Sequence, residues 1–172
     1  GMGVLTKYLV PAHNSFKVIE IDRESVEYLA DNKVIEKDNI ILGDFLEMNL
    51  SDLLVDNTCI IGNFPYNISS QILFKAIDWK DQVECVIGMF QKEVAERIVA
   101  KPRTDHYGRL ALLVGWRCDA KIVLHLPPEA FTPAPKVHSA VVHLTRLEAP
   151  RYPALAAPEP YGPPTKRQME AA

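Results

Sequence analysis

Six short runs rich in Val, Ile and Phe alternate with segments of helical spacing, and this alternation constrains the fold more than any other feature of the chain. The runs lie at 16–21, 39–42, 58–61, 83–90, 121–126 and 137–144, each of strand length. Residues 25–30, 68–79, 92–100 and 107–116 instead repeat their apolar positions at helical intervals. Strands that alternate with helices are joined by crossovers, so the expected fold class is α/β, a doubly wound and mostly parallel sheet with helices on both faces. The last two runs are separated by a stretch from Pro127 to Pro135 that is too proline-rich for a crossover helix. They are expected to pair antiparallel, which gives one antiparallel strand in an otherwise parallel sheet.

The 172 residues, 48% hydrophobic and 24% charged, have the composition of one globular domain. That domain is expected to span residues 1–146. Residues 147–172 hold six prolines and no apolar periodicity, and read as a Pro/Ala-rich, disordered tail. No apolar run approaches the ~20 residues of a membrane helix and the first residues carry no secretory pattern, so the expectation is a cytoplasmic, monomeric protein. Cys59, Cys85 and Cys118 are odd in number, far apart and outside any CxxC spacing. They predict reduced core thiols rather than a disulfide or a zinc site. Without an HExxH pattern among the five histidines, no metal is expected.

The net charge of -3 matches simple nucleic-acid binding poorly. From Gln91 to Lys121, however, seven basic residues face four acidic ones. Lys92, Arg97, Lys101, Arg103 and Arg109 are candidate RNA contacts, and a solvated, salt-bridged helix face accounts for the same residues equally well.

Doubly wound sheets bind nucleotides at the carboxyl ends of their strands, with a glycine turn under the ligand and an acidic residue about 20 positions later on the ribose. Gly1-Met2-Gly3, followed by Val18-Ile19-Glu20-Ile21-Asp22, has that layout. Glu20 can accept from both ribose hydroxyls. The next strand ends in Gly43-Asp44-Phe45, where Asp44 can accept from an adenine amine and Phe45 can pack on the ring, although Gly-Asp also makes an ordinary turn. Both acidic strand ends suit a nucleoside cofactor, without separating a nicotinamide dinucleotide from S-adenosylmethionine.

The separation comes from Asn63-Phe64-Pro65-Tyr66, directly after the run at 58–61. An exocyclic adenine amine is a poor nucleophile because its lone pair is delocalised into the ring. Methylating it requires a nitrogen driven towards tetrahedral geometry. The Asn63 side-chain carbonyl and the Phe64 main-chain carbonyl can accept from its two hydrogens, while Pro65 fixes the turn. Tyr66 offers a ring on which the base stacks, offsetting the cost of turning it out at ~1–3 kcal/mol. No strong general base is needed, since the amine becomes acidic only after methyl transfer. The alternative is a tight turn with a packed tyrosine.

With these residues in place, the chain resembles the KsgA family of small-subunit ribosomal RNA adenine dimethyltransferases. The resemblance runs in order through Val4-Leu5-Thr6, residues 18–22, Gly43-Asp44-Phe45, residues 62–70, residues 91–97, Tyr107-Gly108-Arg109-Leu110 and residues 131–142. It implies a Rossmann-like class I methyltransferase fold and S-adenosylmethionine as cofactor. It further implies that Gly1, Gly3, Glu20, Asp44, Phe45 and Asn63 contact that cofactor, and that Asn63, Phe64, Pro65 and Tyr66 clamp the target amine. Phe131 is the implied second aromatic, closing on the base opposite Tyr66. Family members dimethylate two adjacent adenosines near the end of the small-subunit RNA and act late in ribosome assembly. The strand expected before Gly1 and the family's C-terminal helical domain are not in this sequence, and His138 stands where the family often has a carboxylate. Two further readings are a catalytically weak RNA-binding assembly fragment and a large-subunit methyltransferase of the macrolide-resistance type.

Overall fold

The computed structural model describes residues 1–12, 15–51, 53–79 and 81–151. They fall into two compact units, Gly1–Leu53 and the residues from Leu54 onward.

In the first unit a short helix α1 (Thr6–Leu9) precedes strand β1 (Val18–Glu20), helix α2 (Arg23–Asp31) and strand β2 (Ile40–Leu42). The two strands pair in parallel, with Val18 opposite Ile40 and Glu20 opposite Leu42. The start of α2 is fixed by Asp22, whose carboxylate accepts from the Ser25 N–H at 2.9 Å and the Ser25 hydroxyl at 2.6 Å. Its end is closed by N–H groups of Lys33 and Val34 donating to the Ala30 and Leu29 carbonyls. This closure turns Lys33 into the left-handed region, at φ 53°. Leu29 and Ile35 on either side of the turn are buried and form the small core of this unit with Leu50.

The second unit holds strand β3 (Thr58–Asn63), helix α3 (Ser69–Asp78), strand β4 (Val83–Gln91), helices α4 (Lys92–Ile98) and α5 (Arg109–Arg117), and strands β5 (Cys118–Leu126) and β6 (Ser139–Arg146). Its sheet has the order β3-β4-β6-β5. β3 runs parallel to β4, while β6 runs antiparallel to both of its neighbours. The expected single antiparallel strand is therefore β6, which the proline segment, with only one short 3-10 turn at Pro128–Ala130, returns into the sheet. Its interior position shows in the burial: Phe90, Ala140, Val142 and Leu144 are at most 1% exposed. The six strands form a two-stranded and a four-stranded sheet rather than the one sheet anticipated from the alternation.

Two cysteine expectations are corrected. Cys59 and Cys85 form a disulfide between β3 and β4, and Cys59 is exposed rather than in the core. An irregularity between Thr58 and Cys59 shifts the register so that Cys59 faces Cys85, with Cα atoms 4.7 Å apart. Nothing in their separation of 26 residues signals this pairing before the strands are aligned. Cys118 alone matches the reading as a buried free thiol, and burial, reinforced by the Asp119 charge, pushes its pKa up to about 11. Residues 147–151 are attached by the Leu147 N–H donating to the Arg117 carbonyl, the Arg151 N–H donating to that of Trp116, and the Arg151 guanidinium pairing with Asp119. The rest of the expected tail, 152–172, lies outside the described residues. Among the described residues no helix is long and apolar enough to cross a membrane.

Candidate active site

In the first unit, β1 and β2 end side by side, and the Gly43 N–H donates to the Glu20 carbonyl at 2.9 Å. This places Glu20 and Asp44 at one rim of the parallel pair. The Glu20 carboxylate accepts from the N–H groups of Ile21 and Asp22 at 3.0 and 3.1 Å and from the Gly1 amine. Partial burial works to raise its pKa, while the Ile21 and Asp22 N–H groups work to lower it. Asp44 accepts from the Leu46 N–H at 2.8 Å, so part of its carboxylate builds the turn that carries half-buried Phe45. Gly3 has φ +70°, and a Cβ there would lie 2.6 Å from Leu29 Cδ2. At Gly1 an added Cβ would meet nothing within 4 Å.

In the second unit, two glycines shape the loop after β3. Gly62 and Gly88 face each other across β3 and β4, and a Cβ on either would come within 2.5 Å of the Phe64 ring. The ring of Phe64 thus lies over the paired glycines, edge-on to Phe90 with centroids 5.8 Å apart. Phe64 is 8% exposed, while Asn63 and Pro65 beside it are exposed. A buried ring anchors the turn and leaves the flanking polar groups outside.

Asn63, Phe64, Pro65 and Tyr66 line an open cleft of about 290 Å³, together with Met89 beneath and Phe131, Pro133 and Pro135 from the β5–β6 connection. The four clamp residues and Phe131 therefore share one cleft. Tyr66 is held at both ends. Its carbonyl accepts from the Ser69 hydroxyl at 3.1 Å, and its phenol oxygen lies 2.6 Å from the Ser139 hydroxyl.

The basic residues divide. Lys92 pairs with Glu96, and Arg97 with Glu93, each one helical turn along α4, as a salt-bridged helix face would have them. Lys101, Arg103 and Arg109 are exposed between α4 and the first turn of α5. Among the described residues no three of His, Cys, Asp and Glu converge on a metal position.

Sequence reasoning missed three residues of this site. Gly62 and Gly88 read as ordinary strand residues until the register pairs them. Ser139 is wholly buried at the start of β6, a strand that also carries His143, Thr145 and Arg146, so its sequence does not mark the serine out.

Parallel β1–β2 and β3–β4 pairs, one antiparallel strand and a strand-end Asn-Phe-Pro-Tyr loop are the elements of a class I methyltransferase fold. The model of the ribosomal RNA adenine dimethylase family matches residues 1–157, and the chain belongs to that family. It is 49% identical over 146 residues to the ribosomal RNA small subunit methyltransferase A of Parabacteroides distasonis, covering 85% of this chain and 55% of the relative. It is 55% identical over 117 residues to the protein of that name from Cereibacter sphaeroides, covering 67% and 42%. The chain thus spans about half the length of the curated relatives it matches. Among solved structures, a dimethyladenosine transferase from Plasmodium falciparum superposes with a TM-score of 0.74 at 31% identity, covering 86% of this chain and 54% of that one. The 23S rRNA methyltransferase ErmE gives 0.69 at 26% identity, covering 90% and 64%.

Proposed function

We propose that the protein containing this chain is an S-adenosylmethionine-dependent rRNA adenine-N6,N6-dimethyltransferase. It acts in the cytoplasm, as a monomer, on two adjacent adenosines near the 3′ end of small-subunit rRNA, and so contributes to ribosome biogenesis. Residues 1–146 constitute its methyltransferase domain. The observation that carries this reading is the anchored loop: a buried Phe64 ring under an exposed Asn63, in a cleft walled by Tyr66 and Phe131.

The residues at the rim of the first unit fit the cofactor. Glu20 is charged through the neutral range and ends a parallel strand, and Gly3 makes a turn in which a side chain has no room. Gly1, Gly3, Glu20, Asp44 and Phe45 of the first unit would hold the cofactor, which when bound supplies an electrophilic methyl group. The target adenine stacks on Tyr66 with Phe131 on its other face. Asn63 Oδ1 and the Phe64 carbonyl accept from its amine hydrogens and favour the pyramidal nitrogen that attacks. The amine proton then passes to solvent. Lys101, Arg103 and Arg109, with Lys92 and Arg97 on α4, contact the RNA backbone.

The test uses the full-length protein, undermethylated small subunits and labelled S-adenosylmethionine, with the modified nucleotides mapped. Two adjacent N6,N6-dimethyladenosines near the 3′ end are expected. Cofactor binding without transfer would point to a weak assembly factor instead. The similarity to ErmE supports a second reading, and modification of large-subunit RNA would establish it.

A further inference from the structure

We infer that Ser139 is a positioning residue for the proposed methyl transfer, its hydroxyl fixing the Tyr66 ring in the orientation on which the target adenine stacks. The inference rests on the function proposed above. A tyrosine that serves only as a stacking surface has no use for its hydroxyl, since the face of the ring does the stacking. Here the hydroxyl is committed, 2.6 Å from Ser139 Oγ. Ser139 is wholly buried and is set between Gln91 of β4 and Leu126 of β5 by the register on both sides. Its hydroxyl therefore has a position defined by two strands. At the other end of the residue, Ser69, itself 1% exposed, donates to the Tyr66 carbonyl. A ring tethered at its main chain and at its para oxygen keeps one tilt. The untethered ring would rotate about two side-chain bonds and present the base at a spread of angles.

The same bond relates the two aromatic walls of the cleft. Ser139 is the first residue of β6, and the connection arriving at it carries Phe131, Pro133 and Pro135. Tyr66 is thus referenced to the strand from which the opposing wall is hung. A misplacement of about 1 Å between a held base and the methyl donor is enough to slow transfer by orders of magnitude, whereas the affinity for a large RNA hardly registers one ring's tilt. The role belongs to the turnover step, not to binding.

The experiment compares the full-length protein with Ser139→Ala, Tyr66→Phe and the double variant in steady-state methylation of undermethylated subunits. We expect kcat to fall about tenfold in each single variant, with KM for the subunit and the cofactor affinity within about twofold. The double variant should be no slower than the slower single one, because both remove the same bond. A Ser139→Ala protein with kcat within about twofold of the parent, or losses that multiply in the double variant, would overturn the inference. If Ser139→Ala does not fold, Ser139→Cys fills the site with a slightly larger atom, weakens the hydrogen bond, and is judged by the same two outcomes. A parent protein that transfers no methyl group overturns the proposed function and this role with it. An active parent with an indifferent Ser139 overturns the role alone.

Discussion

Replacing Asn63 by alanine removes one of the two acceptors aimed at the target amine while leaving the buried Phe64 anchor untouched. The expected result is a loss of about 100-fold or more in kcat with an unaltered melting temperature, measured by methylation assay and calorimetry. Gly88→Ala should behave in the opposite way. Its new Cβ would sit 2.4 Å from the Phe64 ring and 2.8 Å from that of Phe90, so strand and loop must shift together. A drop of about 1–3 kcal/mol in urea unfolding is expected, accompanied by loss of transfer. Asn63 and Tyr66 were singled out in the sequence by side-chain type and order, and Phe131 by the family resemblance; the structure lines one cleft with all three. Gly88 was not singled out, since its requirement arises from a ring reaching over from the neighbouring strand, a relation that exists only once β3 and β4 are in register. Ser139 was hidden for the same reason, its partner being 73 residues away.

Strand and helix positions were read closely from the spacing of apolar residues, as in β4, expected over 83–90 and found at Val83–Gln91. What periodicity cannot carry is the pairing of strands, which explains both the division into two sheets and the cysteine correction. A disulfide between strands 26 residues apart restricts the unfolded chain, with an expected stabilisation of up to about 3.5 kcal/mol. Adding reductant should therefore lower the denaturation midpoint of the parent and leave that of Cys59→Ser unmoved. Equal midpoints for the parent with and without reductant would show that the bond contributes nothing. Cys118 supplies an internal control in the same experiment. With its folded pKa raised to about 11, the unfolded chain ionises first, so stability falls as pH climbs from the ordinary cysteine range towards that value. At pH near 8 the reduced native protein should be alkylated at Cys59 and spared at Cys118, as peptide mass mapping will report. At the end of α2, Lys33→Gly relieves a left-handed side chain in a closure that glycine normally occupies, and a gain of about 0.5–1 kcal/mol is expected in thermal unfolding.

The 172 residues carry a net charge of -3, so the proposed RNA contact would draw on a local cluster rather than on their overall field. Two of the five candidate cations, Lys92 and Arg97, are engaged by glutamates of their own helix. If all five make phosphate contacts, binding should weaken with salt at a slope of about -3.5 to -4.5 in log–log form, as read from filter-binding titrations. The doubly wound class was visible from strand–helix alternation, but how the strands divide between two sheets was not, because alternation orders elements along the chain without saying which edges meet. The order β3-β4-β6-β5 has a further consequence for how the protein is made. The strand that enters the sheet interior is the last of the six to leave the ribosome, arriving only with Ser139–Arg146. Until then β4 and β5 each lack the partner that joins them, having no direct pairing of their own. Among the described residues the sheet of the second unit is therefore incomplete until β6 is synthesised, and a nascent chain stalled before Ser139 is expected to show little hydrogen-exchange protection in β4 and β5.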